Sequence, residues 1–181
     1  PYLCDPDFLA RCAREAADLG VGNHTHAAET AEQVTLSLER YGKTPIQVLA
    51  DSGLLDHPAI LAHCLYPTDA DLDLLAGREV GIAQAPKTYM AMALGLADLP
   101  KYLEKGLAVG LATDGAVSSC TLDLFEQMRL TALSQKNRAM DAEVLDVNTV
   151  LDLAFQGGAR VVRQPKLGNL KPGNLADVVL L

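Results

Sequence analysis

The stretch Ala59-Ile60-Leu61-Ala62-His63-Cys64, then a helical run from Asp69 to Ala76, then Val80-Gly81-Ile82-Ala83, decides the fold class. Two short apolar strands separated by a helix make a parallel unit, because parallel neighbours need a crossover of about a dozen residues. The alternation continues on both sides. Upstream, Asp5-Pro6-Asp7 starts a helix whose apolar residues Leu9, Cys12, Ala13 and Ala16 recur at helical spacing up to Gly20. Val21 to Ala27 reads as a strand, with helices at Ala31 to Tyr41 and Thr44 to Ser52. Downstream, Pro86 to Gly95 reads as a loop, Leu99 to Lys105 as a helix and Leu107 to Thr113 as the fourth strand. Helices at Leu122 to Leu133 and Val147 to Val162 come after it. Four strands alternating with helices predict an α/β fold with a parallel sheet. Periodicity alone leaves an open sheet and part of a barrel as equal alternatives.

The chain has 181 residues, 49% of them hydrophobic and 21% charged, with a formal net charge of -8. That is enough chain for one globular domain with a core. Its aliphatic content excludes a disordered protein, and no apolar run reaches the ~20 residues of a membrane span. The acidic balance argues against nucleic acid as a partner, since phosphate binding rests on clustered Lys and Arg. Cys4, Cys12, Cys64 and Cys120 form no C-x-x-C pair, so they read as reduced, mostly buried thiols of a cytoplasmic protein. Pro1-Tyr2-Leu3-Cys4 reads like the middle of a loop, and Ala176 to Leu181 reads like a strand without a partner. Both ends therefore suggest a piece of a longer protein.

Polar residues cluster where the strands end, which is where parallel sheets and barrels build their sites. His24 and His26 lie in the first strand, His63 closes the second, Gln84 the third and Thr113-Asp114-Gly115 the fourth. His57, in Asp56-His57-Pro58, reads as a surface turn. In His26-x-x-Glu29, imidazole plus carboxylate suits zinc or iron, and the carboxylate can also move a proton. Glu29 can equally be an acid favoured before a helix. His63 can be a hydrogen-bonded core histidine, and Asp114 can bind metal, act as a base or N-cap the next segment.

With these residues in this order, the chain resembles the amidohydrolase superfamily. The likeness is to the branch of methylthioadenosine/S-adenosylhomocysteine deaminases and triazine hydrolases. It extends through Tyr41-Gly42-Lys43-Thr44-Pro45 and Leu122-Asp123-Leu124-Phe125-Glu126-Gln127-Met128-Arg129 to the segment Gly168 to Asp177. The resemblance implies that residues 1–167 are the C-terminal half of a (β/α)8 TIM-type barrel, strands five to eight. Residues 168–181 would then begin a small accessory β-sandwich.

The same resemblance implies roles for individual residues. His26 resembles the metal ligand on strand five, and Glu29 the carboxylate that contacts the substrate ring and shuttles protons. His63 resembles the histidine that polarises the attacked centre or the activated water. Asp114 resembles the strand-eight ligand that also takes the proton from that water. Ser118 falls in the family's substrate-binding region. The implied cofactor is one divalent metal per site, zinc or alternatively iron, and the implied reaction is hydrolytic deamination of a nucleoside, purine or related N-heterocycle. A chlorohydrolase or amidase of the same superfamily, or an inactive half-barrel serving as a structural unit, are the alternatives. The expected partners are a small N-heterocyclic substrate and either a second copy or a missing N-terminal half, with no nucleic acid and no membrane.

The sequence departs from the family at two places. Gln84-Ala85-Pro86 stands where the family carries His-Asn-Pro, and Ser118-Ser119-Cys120 where it carries Ser-Asn-Asn. His24-Thr25-His26 cannot be the family's strand-one His-x-His pair. The stretch from His26 to Asp114 is too short for eight strand–helix units, which need ~250 residues. His24 therefore reads as a packing or supporting residue that shares a strand face with His26.

Overall fold

Helices begin where the sequence supplies an acceptor for the free amides of a first turn. Asp5 accepts from the Phe8 amide at 2.7 Å and starts helix α1 (Pro6–Asp18). Thr30 caps α2 (Ala31–Tyr41), and Thr44 and Gln47 form a reciprocal box at α3 (Pro45–Asp51). Thr68 and Asp71 do the same at α4 (Asp69–Ala76). The buried Asp71 carboxylate also accepts from Thr44 Oγ1 at 2.6 Å, tying the starts of α3 and α4 together. This is a computed structural model, and it describes residues 3–180. Pro1, Tyr2 and Leu181 lie outside the described residues, and so do the parts of the terminal segments that contain them.

Four strands, β1 (Asn23–Ala27), β2 (Ala59–His63), β3 (Val80–Gln84) and β4 (Ala108–Leu111), pair in parallel in the order β1-β2-β3-β4. Helices α2 and α3 fill the first crossover and α4 the second. The third holds α5 (Pro86–Ala91) and α6 (Leu99–Glu104). Sequential parallel strands with helical crossovers form the α/β arc that a (β/α)8 barrel is made of. After β4 come α7 (Ala116–Ser119), α8 (Leu124–Ala139) and α9 (Val147–Asp152). A π-helical turn (Leu153–Gly157) then leads into α10 (Gly158–Val161).

One sheet face carries Leu61, Ile82 and Val109, in register and fully buried in the core with Ile46, Leu49, Leu72, Leu75 and Tyr102. The other face has small residues in register, Gly81 beside Ala108 and Ala83 beside Gly110, and the last helices press onto it. A Cβ on Gly81 would meet Val161 Cα at 2.8 Å, and one on Gly110 would meet Gly158 at 2.9 Å. A Cβ on Gly157 would lie 2.4 Å from the Val109 carbonyl oxygen, which is backbone and has no room to yield. Gly157→Ala is therefore expected to lower stability by about 1–3 kcal/mol. Gly77→Ala, whose Cβ meets nothing within 4 Å, should stay within about 0.5 kcal/mol. Urea midpoints at unchanged slope measure both.

Several boundaries differ from the sequence reading. The stretch Pro86 to Gly95 is not all loop, because α5 occupies its first part. No local side chain caps α5, and the Lys87 amide donates instead to Gln127 Oε1 at 3.1 Å, forty positions away. Helix α8 runs on past Leu133 to Ala139. Its buried row there is polar: Gln135 accepts from the Leu99 amide at 3.2 Å and donates to the Ala97 carbonyl at 2.9 Å. Val147 to Val162 is interrupted by the π turn, and α7 has no counterpart in the sequence reading. The strands are shorter at their ends than the runs Val21 to Ala27 and Leu107 to Thr113. Of the four cysteines, all unpaired, Cys64 is buried, Cys4 and Cys12 are half-buried and Cys120 is exposed, so the thiols are not mostly buried. Ala176 to Leu180 is exposed and belongs to no strand among the described residues. No described helix is long and apolar enough to cross a membrane.

Candidate active site

The site lies at the carboxyl ends of the four strands, where the chain leaves the sheet by unusual turns. Ala28, His63, Cys64 and Asp114 all have positive φ, at 46°, 73°, 47° and 59°. Left-handed backbone in non-glycine residues costs of order 1–3 kcal/mol each, and it concentrates at functional sites. The His63 turn has a direct consequence. Strand alternation alone would put His63 on the same face as Leu61, but the positive φ ends that alternation.

His63 is the hub. It is 3% exposed, and its ring centroid lies 5.1 Å from that of His26, which is exposed at the end of β1. Its Nε2 stands 3.6 Å from Glu29 Oε1, an ion-pair distance rather than a hydrogen bond. The Tyr89 ring packs edge-on against it, with centroids 5.6 Å apart. Burial lowers the imidazole pKa below its ordinary value; the Glu29 carboxylate opposes this, His26 adds to it, and Asp114 opposes it.

Glu29 is oriented from behind. Gln33 Nε2 donates to Glu29 Oε2 at 3.1 Å, and the Glu29 amide donates to Gln33 Oε1 at 3.1 Å. Glu29 does not supply the helix cap, because Thr30 Oγ1 accepts from the Gln33 amide at 3.1 Å and performs it. Asp114 is half-buried and accepts from the Gly115 amide at 2.7 Å. Ser118 lies four positions further on, half-buried on α7. His24 sits towards the start of β1, in a groove with Ile60, Val162 and Arg163. His57 is exposed.

Sequence reasoning missed Tyr89 and Tyr102. The Tyr89 hydroxyl accepts from the Ala85 amide at 2.8 Å, and burial pushes its phenol pKa far up. The Tyr102 hydroxyl donates to the Cys64 carbonyl at 2.5 Å. Gln84, noted only as a strand-end polar residue, donates from Nε2 to the His63 carbonyl. The nearby Lys87 ammonium contacts Glu126 at 2.6 Å and Thr121 at 3.1 Å, fastening α5 to α8 across the segment that follows Asp114.

The donor chemistry suits a transition metal in type: imidazole from His26, carboxylate from Asp114, and a buried His63 Nδ1 without a protein partner. Among the described residues, however, no three such side chains stand close enough to hold an ion. A catalytic zinc takes three protein ligands and keeps one open position. These residues therefore fit part of a metal centre.

A family model described as the amidohydrolase family matches residues 1–181. The chain is 40% identical over 181 residues to a 5-methylthioadenosine/S-adenosylhomocysteine deaminase of Halothermothrix orenii, covering 100% of this chain and 42% of that protein. The deaminase of the same name from Desulforudis audaxviator is 39% identical, with 99% and 42% covered. Among solved structures, an adenosine deaminase from Xanthomonas campestris with bound zinc superposes at a TM-score of 0.92. It is 31% identical over 98% of this chain and 40% of that one. The atrazine chlorohydrolase TrzN from Arthrobacter aurescens TC1, complexed with zinc, gives 0.85 at 32% identity, with 95% and 38% covered. The chain thus spans about two fifths of the length of these relatives.

Proposed function

The chain belongs to the amidohydrolase family, and from that premise we propose that it carries the proton-handling half of a metal-dependent deaminase. The substrate class is a nucleoside, purine or related N-heterocycle bearing an exocyclic amino group. The observation that carries the reading is the approach of Glu29 and His26 to the buried His63, with Asp114 at the turn that follows β4 of the same sheet. The deaminase names of relatives near 40% identity support it.

His26 and Asp114 would hold the metal, with further ligands from outside the described residues. A bound zinc supplies Lewis acidity and brings the pKa of coordinated water towards ~7. The remaining work falls to side chains. Asp114 takes the proton of the attacking water, and the hydroxyl adds to the sp2 carbon that carries the amino group. Glu29, held by Gln33, contacts the ring and delivers a proton to the ring nitrogen; the proton held by Asp114 passes to the amino nitrogen, and Glu29 recovers its own from the hydroxyl as the carbonyl forms. The carbon–nitrogen bond breaks, ammonia leaves, and a carbonyl remains. His63, whose pKa burial lowers, polarises the attacked centre, and Ser118 contributes to substrate binding.

The second reading, a chlorohydrolase, keeps the same water attack with chloride leaving; the 32% identity to the atrazine chlorohydrolase favours it. The test offers the intact protein methylthioadenosine, guanine and a chlorotriazine. Ammonia release from the first two is expected. Chloride release alone selects the second reading, and neither product overturns both.

In the same reading residues 168–181 lead into an accessory domain. The exposed apolar run Val178, Val179 and Leu180 supports this, because it needs a partner. The open sheet edges would be covered by further barrel strands or a second copy. A reducing, cytoplasmic setting agrees with four unpaired cysteines.

A further inference from the structure

The turn at His63–Cys64 is held at four points, and two of them are side-chain donors. The Cys64 amide donates to the Ala27 carbonyl at the end of β1 at 2.9 Å, and the next amide, that of Leu65, donates to the Ala28 carbonyl at 2.9 Å. Those are backbone bonds that any side chain at these positions would allow. The two carbonyls are different. Two successive left-handed residues turn their carbonyls out of the sheet ladder, and a buried carbonyl without a donor is unfavourable. Here Gln84 Nε2, from the end of β3, donates to the His63 carbonyl, and the Tyr102 hydroxyl, from α6, donates to the Cys64 carbonyl at 2.5 Å. Both side chains are 2% exposed. Burial raises the Tyr102 phenol pKa, so that it remains a donor.

We propose that Gln84 and Tyr102 are positioning residues: their two side-chain donors hold the left-handed His63–Cys64 turn and thereby aim the His63 imidazole at Glu29. Without these donors the dipeptide relaxes towards the right-handed or extended basins that L residues favour. The imidazole then swings away from the 3.6 Å approach to Glu29. The assignment rests on the proposed role of His63, but the geometry it describes does not depend on the reaction. It also gives the departure at Gln84 a function of its own in this chain, since its side-chain amide donates to the main chain of the neighbouring strand.

Gln84→Met and Tyr102→Phe remove the donors with little change of shape. The ring nitrogen and carbon-bound proton signals of His63 are followed by long-range 1H–15N correlation at fixed pH in the intact protein, assigned by their loss in His63→Asn. The His63 signals are expected to move in both variants while those of the exposed His57 stay. The kcat for deamination is expected to fall about 10- to 100-fold, with KM within about twofold. A purely structural role would lower the melting temperature and leave the His63 ring signals in place. Wild-type His63 signals in the folded variants would overturn the proposal. Should Gln84→Met fail to fold, Tyr102→Phe decides, because it removes a single oxygen and keeps the ring. If the wild-type protein deaminates nothing, the functional reading fails on its own, and the ring signals still judge the positioning.

Discussion

Glu29→Gln is expected to reduce kcat for deamination by about 10²- to 10⁴-fold, the usual contribution of a positioned general acid–base group. The side chain keeps its size, and Gln33 can still hydrogen-bond to it, so the fold should be unaffected. What disappears is the ability to accept and release a proton. Glu29 Oε2 accepts from Gln33, while Oε1 faces the buried imidazole of His63 at 3.6 Å. That division suits a group with one oxygen anchored and the other free for substrate. A helix-start acid would behave differently: its loss would lower stability and leave turnover intact. Thr30 already fills the capping role of α2, so the change in stability should remain within about 0.5 kcal/mol. Steady-state kcat and a urea titration on the same preparation separate the two. Wild-type turnover with lowered stability would return Glu29 to a structural role.

The fold class was legible because each buried strand announced itself as a short apolar run, and the β2–α4–β3 unit carried that pattern with little ambiguity. Boundaries failed where long-range hydrogen bonds replaced local signals. Helix α5 depends on Gln127 for its first amide, and the last turns of α8 bury Gln135 through bonds to Ala97 and Leu99. Neither appears as apolar periodicity. The candidate site residues stood out for a related reason: His26, His63 and Asp114 each lie at or just beyond the carboxyl end of a strand. Their mutual geometry was not. Alternation predicts the wrong face for His63, and only the left-handed turn at His63–Cys64 brings it towards His26 and Glu29. The supports of that turn come from residues 21 and 38 positions away, a separation at which sequence carries no local cue. The resemblance supplied the roles, and the packing supplied the reason that this histidine can fill one.

The 181-residue chain on its own is expected to hold far less than one zinc per molecule after dialysis, with little activity. The argument is one of ligand count. In the proposed reading His26 and Asp114 would make two protein ligands, and the described residues bring no three candidate ligands together. A catalytic zinc needs three. In the intact protein, Asp114→Asn should weaken zinc binding by at least about 100-fold, since even the loss of a supporting residue outside the ligand set costs 10- to 100-fold. Elemental analysis of both preparations measures this directly. Adding the remainder of the barrel to the chain should restore zinc and ammonia release together. A stoichiometry near one in the isolated chain would require the missing ligands to come from His24, a cysteine or a second copy, and His24 shares its strand face with His26. An intact protein that neither binds zinc nor releases ammonia would instead leave this arc of strands as a structural unit. The left-handed turns then become the difficulty, because a purely structural sheet gains nothing from holding Ala28, His63, Cys64 and Asp114 in a costly conformation at a single edge.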